Sequence, residues 1–436
     1  MLPPELCQQI DRWVAANRDR VVGLVGDLVR IESETHPPVG NEARAQTCLA
    51  DRCRAWGMDA DVYDIGSVPG LDAHPLRNRH VVCTGRPNVV IRRPGAGGTG
   101  ARSLILSGHM DTVPAGDPTE WTRSPTSGHI EGGKLYGRGA YDMKAGVAAN
   151  VAVALMLTEL GIRLAGDLTV ESVADEEFAG GHGTLAARLH SGAADAVLIP
   201  EPSNLALYRA HRGLRVVQLC LKGKGGVTFA GDELVPPVHA LPKLIEGLVT
   251  FGTRRNASLH VPPSYAHTES PANWMITKVR ANDWRDDARL AVPDSAWVEF
   301  FWESLPGETR EQIENQFESW LVDFRRLHGL DIDYRYVLRW MEGYELPASH
   351  PLTRVAERHV GAVIGEDSAA VGAPFPCDLF LFAKLGVPAG LILGPSGNNA
   401  HAANEWVDLE SVLDIVRVYG RIVCEWCGVN DGPVPS

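Results

Sequence analysis

Several features are scarce in this chain, and each absence narrows the reading. Cysteine is sparse, with eight in 436 residues, too thinly spread for a disulfide framework. Cys424 and Cys427 form a CxxC inside the apolar pattern of a C-terminal helix. There is no second CxxC, so the pair reads as buried free thiols and not as a zinc or redox site. Basic residues are outnumbered, 41 Lys and Arg against 54 Asp and Glu, for a formal net charge of −13. An acidic chain without a basic stripe argues against nucleic acid and anionic membranes as partners. No stretch reads as long and apolar enough to span a bilayer. The opening MLPPELCQQIDRWVAANRDRVVGLVGDLVRIES lacks the basic start, apolar run and small-residue cleavage site of a signal peptide. Together these features lead us to expect a reducing, cytoplasmic setting. No internal repeat or low-complexity segment is evident.

What remains is an ordinary globular composition, 44% hydrophobic and 22% charged, long enough for two or three domains. Residues 4–33 carry helical periodicity. Strand-like runs follow at NVVIRR (88–93) and SLILSG (103–108), with PGAGGTGAR between them reading as a hairpin loop. HIEGGKLYGRG (129–139) reads as another hairpin, and Met143 to Leu160 as an alanine-rich helix. DLTVESVA, HGTLAARLH and DAVLIP then alternate strand, helix, strand, the mark of an α/β layered domain with a mostly parallel sheet. Beyond about residue 210 the order changes to a few antiparallel strands (216–223, 273–281, 296–304, 332–337) and two helices (236–251, 308–327). The α/β pattern resumes with a helix at 350–363, a strand at 389–394 and a helix at 409–427. The expected architecture is therefore an α/β domain, 1–210 and 339–436, with a mixed, mostly parallel sheet flanked by helices, interrupted by a smaller α+β domain at 211–338.

The chemistry gathers at the ends of the α/β strands, where ligands of such sheets usually bind. SLILSGHMDTVP places His109 and Asp111 just past a buried strand. Residues two apart at a strand end point the same way, so His109 is a candidate ligand whose other ring nitrogen Asp111 would hold; a hydrogen-bonded turn is the plainer alternative. LYGRGAYDMKAG supplies Asp142 at a helix start, where an aspartate caps the helix or, with two oxygens, bridges two cations. ADEEFAGG brings Asp175, Glu176 and Glu177 together at a strand end, an arrangement that repels itself unless something positive sits opposite. IPEPSN ends the next strand with Glu201, and GPSGNNAHAANEWV places His401 after a glycine loop. Two imidazoles and several carboxylates without a thiolate suit zinc. Two ions sharing a carboxylate would clamp a water, and a carboxylate off the metal would take its proton.

SGHMDTVP, GRGAYDMKAG, ADEEFAGG, PEPS and AHAANEWV resemble, in order and spacing across the whole chain, the amidohydrolase and metallopeptidase family of acetylornithine deacetylase, succinyl-diaminopimelate desuccinylase, aminoacylase and glutamate carboxypeptidase. The resemblance implies a catalytic domain with two Zn2+ ions (Co2+ or Mn2+ as substitutes) and an inserted lid domain that often dimerises. Residue by residue it implies that His109 and Glu201 hold one zinc, that Glu177 and His401 hold the other, and that Asp142 bridges them. It makes Glu176 the general base and Asp111 the partner of His109. The implied reaction is hydrolysis of an amide in a small N-acyl substrate, most directly deacylation of an N-acyl amino acid or amine, with dipeptidase or carboxypeptidase action as variants. A homodimer through the lid is the implied assembly.

The lid departs from the family pattern. In GKGGVTFAGDE, Val227 stands where the family carries an oxyanion-steadying histidine, with His239, His260 and His267 as possible substitutes. Aligned on Pro306, Phe301 and Glu303 replace an Asp-x-Arg whose arginine grips a substrate carboxylate. A glutamate there is expected to repel carboxylates and favour cationic or neutral groups. Asn273 matches a lid asparagine and is a candidate substrate contact, as is Glu303. These departures keep a second reading open, a metal-binding member with lost or altered catalysis, in a ligand-binding or acyl-transfer role. The retained Glu176 favours hydrolysis, since pure binding needs no base.

Overall fold

The computed structural model describes residues 1–227, 233–282, 291–365 and 369–430. Two units result, one formed by Met1–Arg209, Leu346–Ala373 and the chain from Cys377 onward, the other by Ala210–Glu345 with Pro374–Pro376.

In the first unit the apolar runs become strands β1 (Ala60–Asp64), β2 (Pro87–Arg93), β3 (Leu104–His109), β4 (Leu168–Val173) and β5 (Ala196–Ile199). Every residue of β3 and β5 is buried, as expected of parallel strands covered on both faces. With a late strand, Ala389–Ile392, the order is 389–392, β5, β3, β4, β2, β1. The first four run parallel, and β2 and β1 are antiparallel. Residues 94–102 are therefore not a hairpin loop. β4 lies between β2 and β3, and the loop instead lies along the turn before β4, with Ala96 N donating to Leu164 O and Gly97 N to Ala165 O. The single helix expected over 4–33 is two, Pro4–Ala16 and Arg18–Val29. The break falls at Asn17, whose side chain donates to Trp13 O at 2.9 Å. The apolar face continues through it, which hides the break from periodicity.

The alanine-rich helix Ala145–Glu159 runs beneath the sheet ends, buried over almost its whole length. Gly146 permits this. A Cβ there would stand 2.6 Å from the main-chain oxygen of Pro200, at the end of β5. Contrary to the sequence reading, the segment Ala140–Glu159 does reach the length and hydropathy of a membrane span, but 94% of its 18-residue apolar stretch is buried inside the protein, the mark of a core helix.

The second unit is a four-stranded antiparallel sheet of β6 (Gly213–Lys222), β7 (Trp274–Arg280), β8 (Ser295–Ser304) and β9 (Ile332–Tyr336) in the order β7, β8, β6, β9. Alternation along AWVEFFW sends Val298, Phe300 and Trp302 to one face, where Leu244, Leu248 and Phe251 of helix Leu241–Ala257 and Phe317 and Leu321 of helix Arg310–His328 cover them. The second helix opens on a capping box, Thr309 with Gln312, and closes on Gly329 at φ 61°, so its ends are satisfied locally. The unit runs past residue 338 because Tyr344 and Glu345 pair with His211 and Ala210, a two-residue ladder too short to leave a period in the sequence.

Candidate metal centre

Parallel pairing aligns the strand ends. His109 closes β3 opposite Val173 of β4, and Ile392 lies opposite Ile199 of β5. The residues just beyond those ends therefore meet. His109, Asp142 and Glu201 form one group of donor atoms and Asp142, Glu177 and His401 another, each with its atoms within 4.8 Å of one another. Asp142 belongs to both and divides its oxygens between them. Oδ1 is 3.2 Å from His109 Nε2, and Oδ2 is 3.2 Å from His401 Nε2. Glu201 Oε2 lies 3.7 Å from His109 Nε2, and Glu177 Oε1 lies 3.1 Å from His401 Nε2. Glu176 stands beside both groups without joining either, its Oε2 4.0 Å from His109 Nε2.

Each donor has a support. Asp142 is no helix cap, for the helix begins at Ala145 and the aspartate lies in a non-helical turn. What holds that turn is Glu405, a residue the sequence reading passed over. Its fully buried carboxylate accepts from Arg138 Nη1 at 2.7 Å, from Gly139 N at 2.9 Å, from Tyr141 N at 2.9 Å and from Asp142 N at 3.0 Å. The only hint of it was an acid four residues after His401. His401 itself sits between strands Gly397–Asn398 and Trp406–Asp408, which pair with each other while the second pairs with Lys134–Tyr136. This tethers its loop to the hairpin before Asp142.

The expected His109–Asp111 side-chain pair is corrected. The chain turns after His109 so that Nδ1 meets the main-chain oxygen of Asp111 at 2.8 Å, while the carboxylate stays 3.8 Å off. The carbonyl does the tautomer-fixing work and leaves Nε2 for the donor group. The Asp111 carboxylate instead accepts from Thr35 Oγ1 (2.9 Å), Glu176 N (3.0 Å) and Glu177 N (3.1 Å). Asp175 is buried and paired with Arg86 and with His182 Nδ1, so part of the positive counterpart to the three acids is a guanidinium behind the turn.

Electrostatically the cluster favours positive charge. Burial alone would depress both histidines. Glu201 and Asp142 nevertheless raise His109 well above its usual range, and Asp142 and Glu177 raise His401 to about 11. Burial raises Glu201 to about 7 and pushes up Glu176 and Glu177, whereas the two imidazoles outweigh burial at Asp142 and hold it low. Four carboxyl groups around two imidazoles, one of them shared, fit a pair of divalent ions.

The family model for peptidase family M20/M25/M40 matches residues 105–425, from β3 to the last helix. The chain belongs to this family. Among its relatives, an N-formyl-4-amino-5-aminomethyl-2-methylpyrimidine deformylase of Halalkalibacterium halodurans is 23% identical over 97% of both chains. A succinyl-diaminopimelate desuccinylase of Ralstonia nicotianae is 25% identical over 92% of this chain and 98% of the relative. The fold is shared with human carnosine dipeptidase 1, with TM-score 0.75 and 17% identity over 98% of this chain and all of that one. It is also shared with a dinuclear metal binding peptidase of Bacillus subtilis, with TM-score 0.63 and 15% identity over 94% and 98%.

In this M20/M25/M40 member the lid residues singled out by sequence take different places. Glu303 does not offer a free carboxylate, and the expectation that it selects against acidic substrates is corrected. It is buried, and its Oε2 accepts from Arg212 Nη1 and from Asn273 N, both at 2.7 Å. Arg212 also donates to Ser270 O at 2.7 Å, so the pair closes the end of β8 internally. The side chain of Asn273 is exposed, as are Val227, His239, His260 and His267. The rest of the departing stretch, 228–232, lies outside the described residues.

Proposed function

We propose that this protein is a two-zinc amidohydrolase that removes the acyl group from an N-acyl amino acid or a related N-acyl amine. The observation that carries this reading is the division of the Asp142 oxygens between two donor groups, at 3.2 Å each. His109, Asp142 and Glu201 would hold one ion, and Asp142, Glu177 and His401 the other. When bound, such ions would polarise an amide carbonyl and lower the pKa of a coordinated water. Glu176, in neither group, takes the proton of the attacking water and returns it to the departing nitrogen. Asp111 and Glu405 keep the turns of Glu176 and Asp142 in place. Imidazole and carboxylate donors favour zinc, with Co2+ or Mn2+ as working substitutes. The full-length relatives named as a deformylase and a desuccinylase support an N-acyl substrate.

We extend the reading to assembly and setting. β7 is an edge strand of the lid sheet with Met275 and Val279 exposed, which suits a homodimer through the lid. Eight unpaired thiols suit a reducing cytoplasm.

The test is turnover of N-formyl, N-acetyl and N-succinyl amines and amino acids before and after chelation, in the wild type and in Glu176→Gln. Zinc-dependent turnover lost in the variant supports the proposal. If the zinc-loaded wild type turns over nothing and the variant behaves identically, the second reading takes its place, metal binding without hydrolysis. That reading is favoured by one feature, Val227 where the family resemblance implies a lid histidine.

A further inference from the structure

The turn that carries Glu176 and Glu177 is a costly piece of backbone. Asp175 (φ 62°), Phe178 (φ 58°) and Ala179 (φ 57°) are all non-glycine residues in the left-handed region, and Gly181 follows at φ 64°. Such strain persists only where the surroundings impose it. Phe178 is 41% exposed, so its packing does not compensate. The turn must be tied from outside.

Both ties lead to one guanidinium. Arg86, 2% exposed, reaches Asp175 Oδ1 through Nη1 and Thr35 Oγ1 through Nη2 at 3.0 Å, while its Nε bonds both Glu42 carboxylate oxygens at 3.1 Å. Thr35 Oγ1 in turn donates to Asp111 Oδ2 at 2.9 Å, and the two Asp111 oxygens accept the amides of Glu176 and Glu177. The path is a closed ring, from Arg86 through Thr35 and Asp111 to the Glu176 and Glu177 amides, and back through the Asp175 side chain. The far oxygen of Asp175 is held by His182 Nδ1 at 2.5 Å, and His182 Nε2 accepts from Asn78 N at 3.0 Å. Room for the guanidinium depends on Gly40, where a Cβ would stand 2.5 Å from Arg86 Nη2.

We infer that Arg86 and Thr35 are positioning residues that set the backbone of the Glu176–Glu177 turn, and through it the reach of one metal ligand and of the base. A buried ion cluster is a poor source of net stability, whereas outer partners of a metal ligand control its affinity. Thr35 is a link that can be cut without stranding a charge, because it touches Arg86, Asp111 and, at 3.4 Å, Glu42 by a single hydroxyl. The inference rests on the two-ion reading only for its effect on metal binding; the tie to the turn stands on the hydrogen bonds alone.

The experiment separates the two. Thr35→Val and Thr35→Ser are purified as full chains. Amide hydrogen exchange is followed on a peptide spanning residues 174–181, and zinc affinity is measured by competition with a chelator. In Thr35→Val the peptide should exchange about tenfold faster and zinc should bind about 10- to 100-fold more weakly. Thr35→Ser should restore both, with peptides elsewhere unchanged. Unchanged exchange in that peptide overturns the positioning role, as does a loss that spreads over the whole chain and is not restored by serine. Faster exchange without any change in zinc affinity keeps the tie and overturns its link to the metal ligand.

Discussion

Glu405 is the buried acid that holds the Asp142 turn, and its removal has a calculable cost. One oxygen, Oε2, accepts from Arg138 and Gly139, and the other, Oε1, accepts from Tyr141 and Asp142, all between 2.7 and 3.0 Å. Glu405→Ala strands Arg138, which is only 5% exposed. Breaking such a pair costs about 3–5 kcal/mol. Three amides deprived of their acceptor add about 1 kcal/mol each at the low end, and water entering the cavity returns part of this. The net, about 5 kcal/mol, approaches the whole stability of many domains. Glu405→Gln is the sharper probe. It keeps the volume and one accepting oxygen but turns an NH2 toward two donors, for a loss of roughly 3 kcal/mol. Urea unfolding followed by fluorescence measures this directly. Zinc competition on the folded variant should show about 10- to 100-fold weaker binding, because the Asp142 turn is no longer held. A Glu405→Gln protein within about 0.5 kcal/mol of the wild type, binding zinc equally well, would refute the reasoning.

Glu176→Gln should lower kcat by about 100- to 10,000-fold while leaving metal content unchanged, as checked by metal analysis beside the assay. Glu303→Arg should destabilise by about 3–5 kcal/mol, since it sets a second guanidinium against buried Arg212; thermal unfolding reads this, and a stable variant with altered preference for acidic substrates would contradict the internal pairing. Burial lowers His211 from 6.5 to about 4, its Nδ1 bonded to Arg212 O at 2.7 Å and its ring stacked 6.0 Å from Tyr344. The folded state thus binds fewer protons than the unfolded chain between those values, so this contribution is complete above pH 6.5 and is lost as pH falls toward 4. The loss is about 3 kcal/mol in all. His211→Phe should flatten that part of the stability–pH curve, and an unchanged slope would count against a neutral buried His211.

The candidate metal ligands His109, Glu177 and Glu201 were legible because each closes or closely follows an apolar strand, and parallel pairing turns those strand ends into neighbours in space; Asp142 and His401 lie in loops and were legible from their motifs. The supports were not legible, and the reason is physical. Glu405 acts on backbone amides, which every residue supplies, so no partner residue type marks it. Arg86 and Thr35 meet Asp111 and Asp175 only once the sheet is assembled. Asp111 was assigned to His109 from a spacing of two, but the chain leaves the strand after His109, and the carbonyl arrives where the carboxylate was expected. Along β8, Glu303 falls on the face away from Trp302. Only the fold shows that Arg212 fills that side. The 94–102 loop looked like a hairpin because its flanking strands are adjacent in sequence, while β4, some 65 residues later, takes the place between them.

The central claim is a two-ion centre in which Asp142 serves both ions, and metal stoichiometry tests it most directly. Protein equilibrated with zinc, desalted and analysed by emission spectrometry should carry about two ions per chain. His109→Ala and His401→Ala should each retain about one, and Asp142→Asn should retain neither tightly. One ion or none in the wild type, or an Asp142→Asn variant that loses only one, would contradict it.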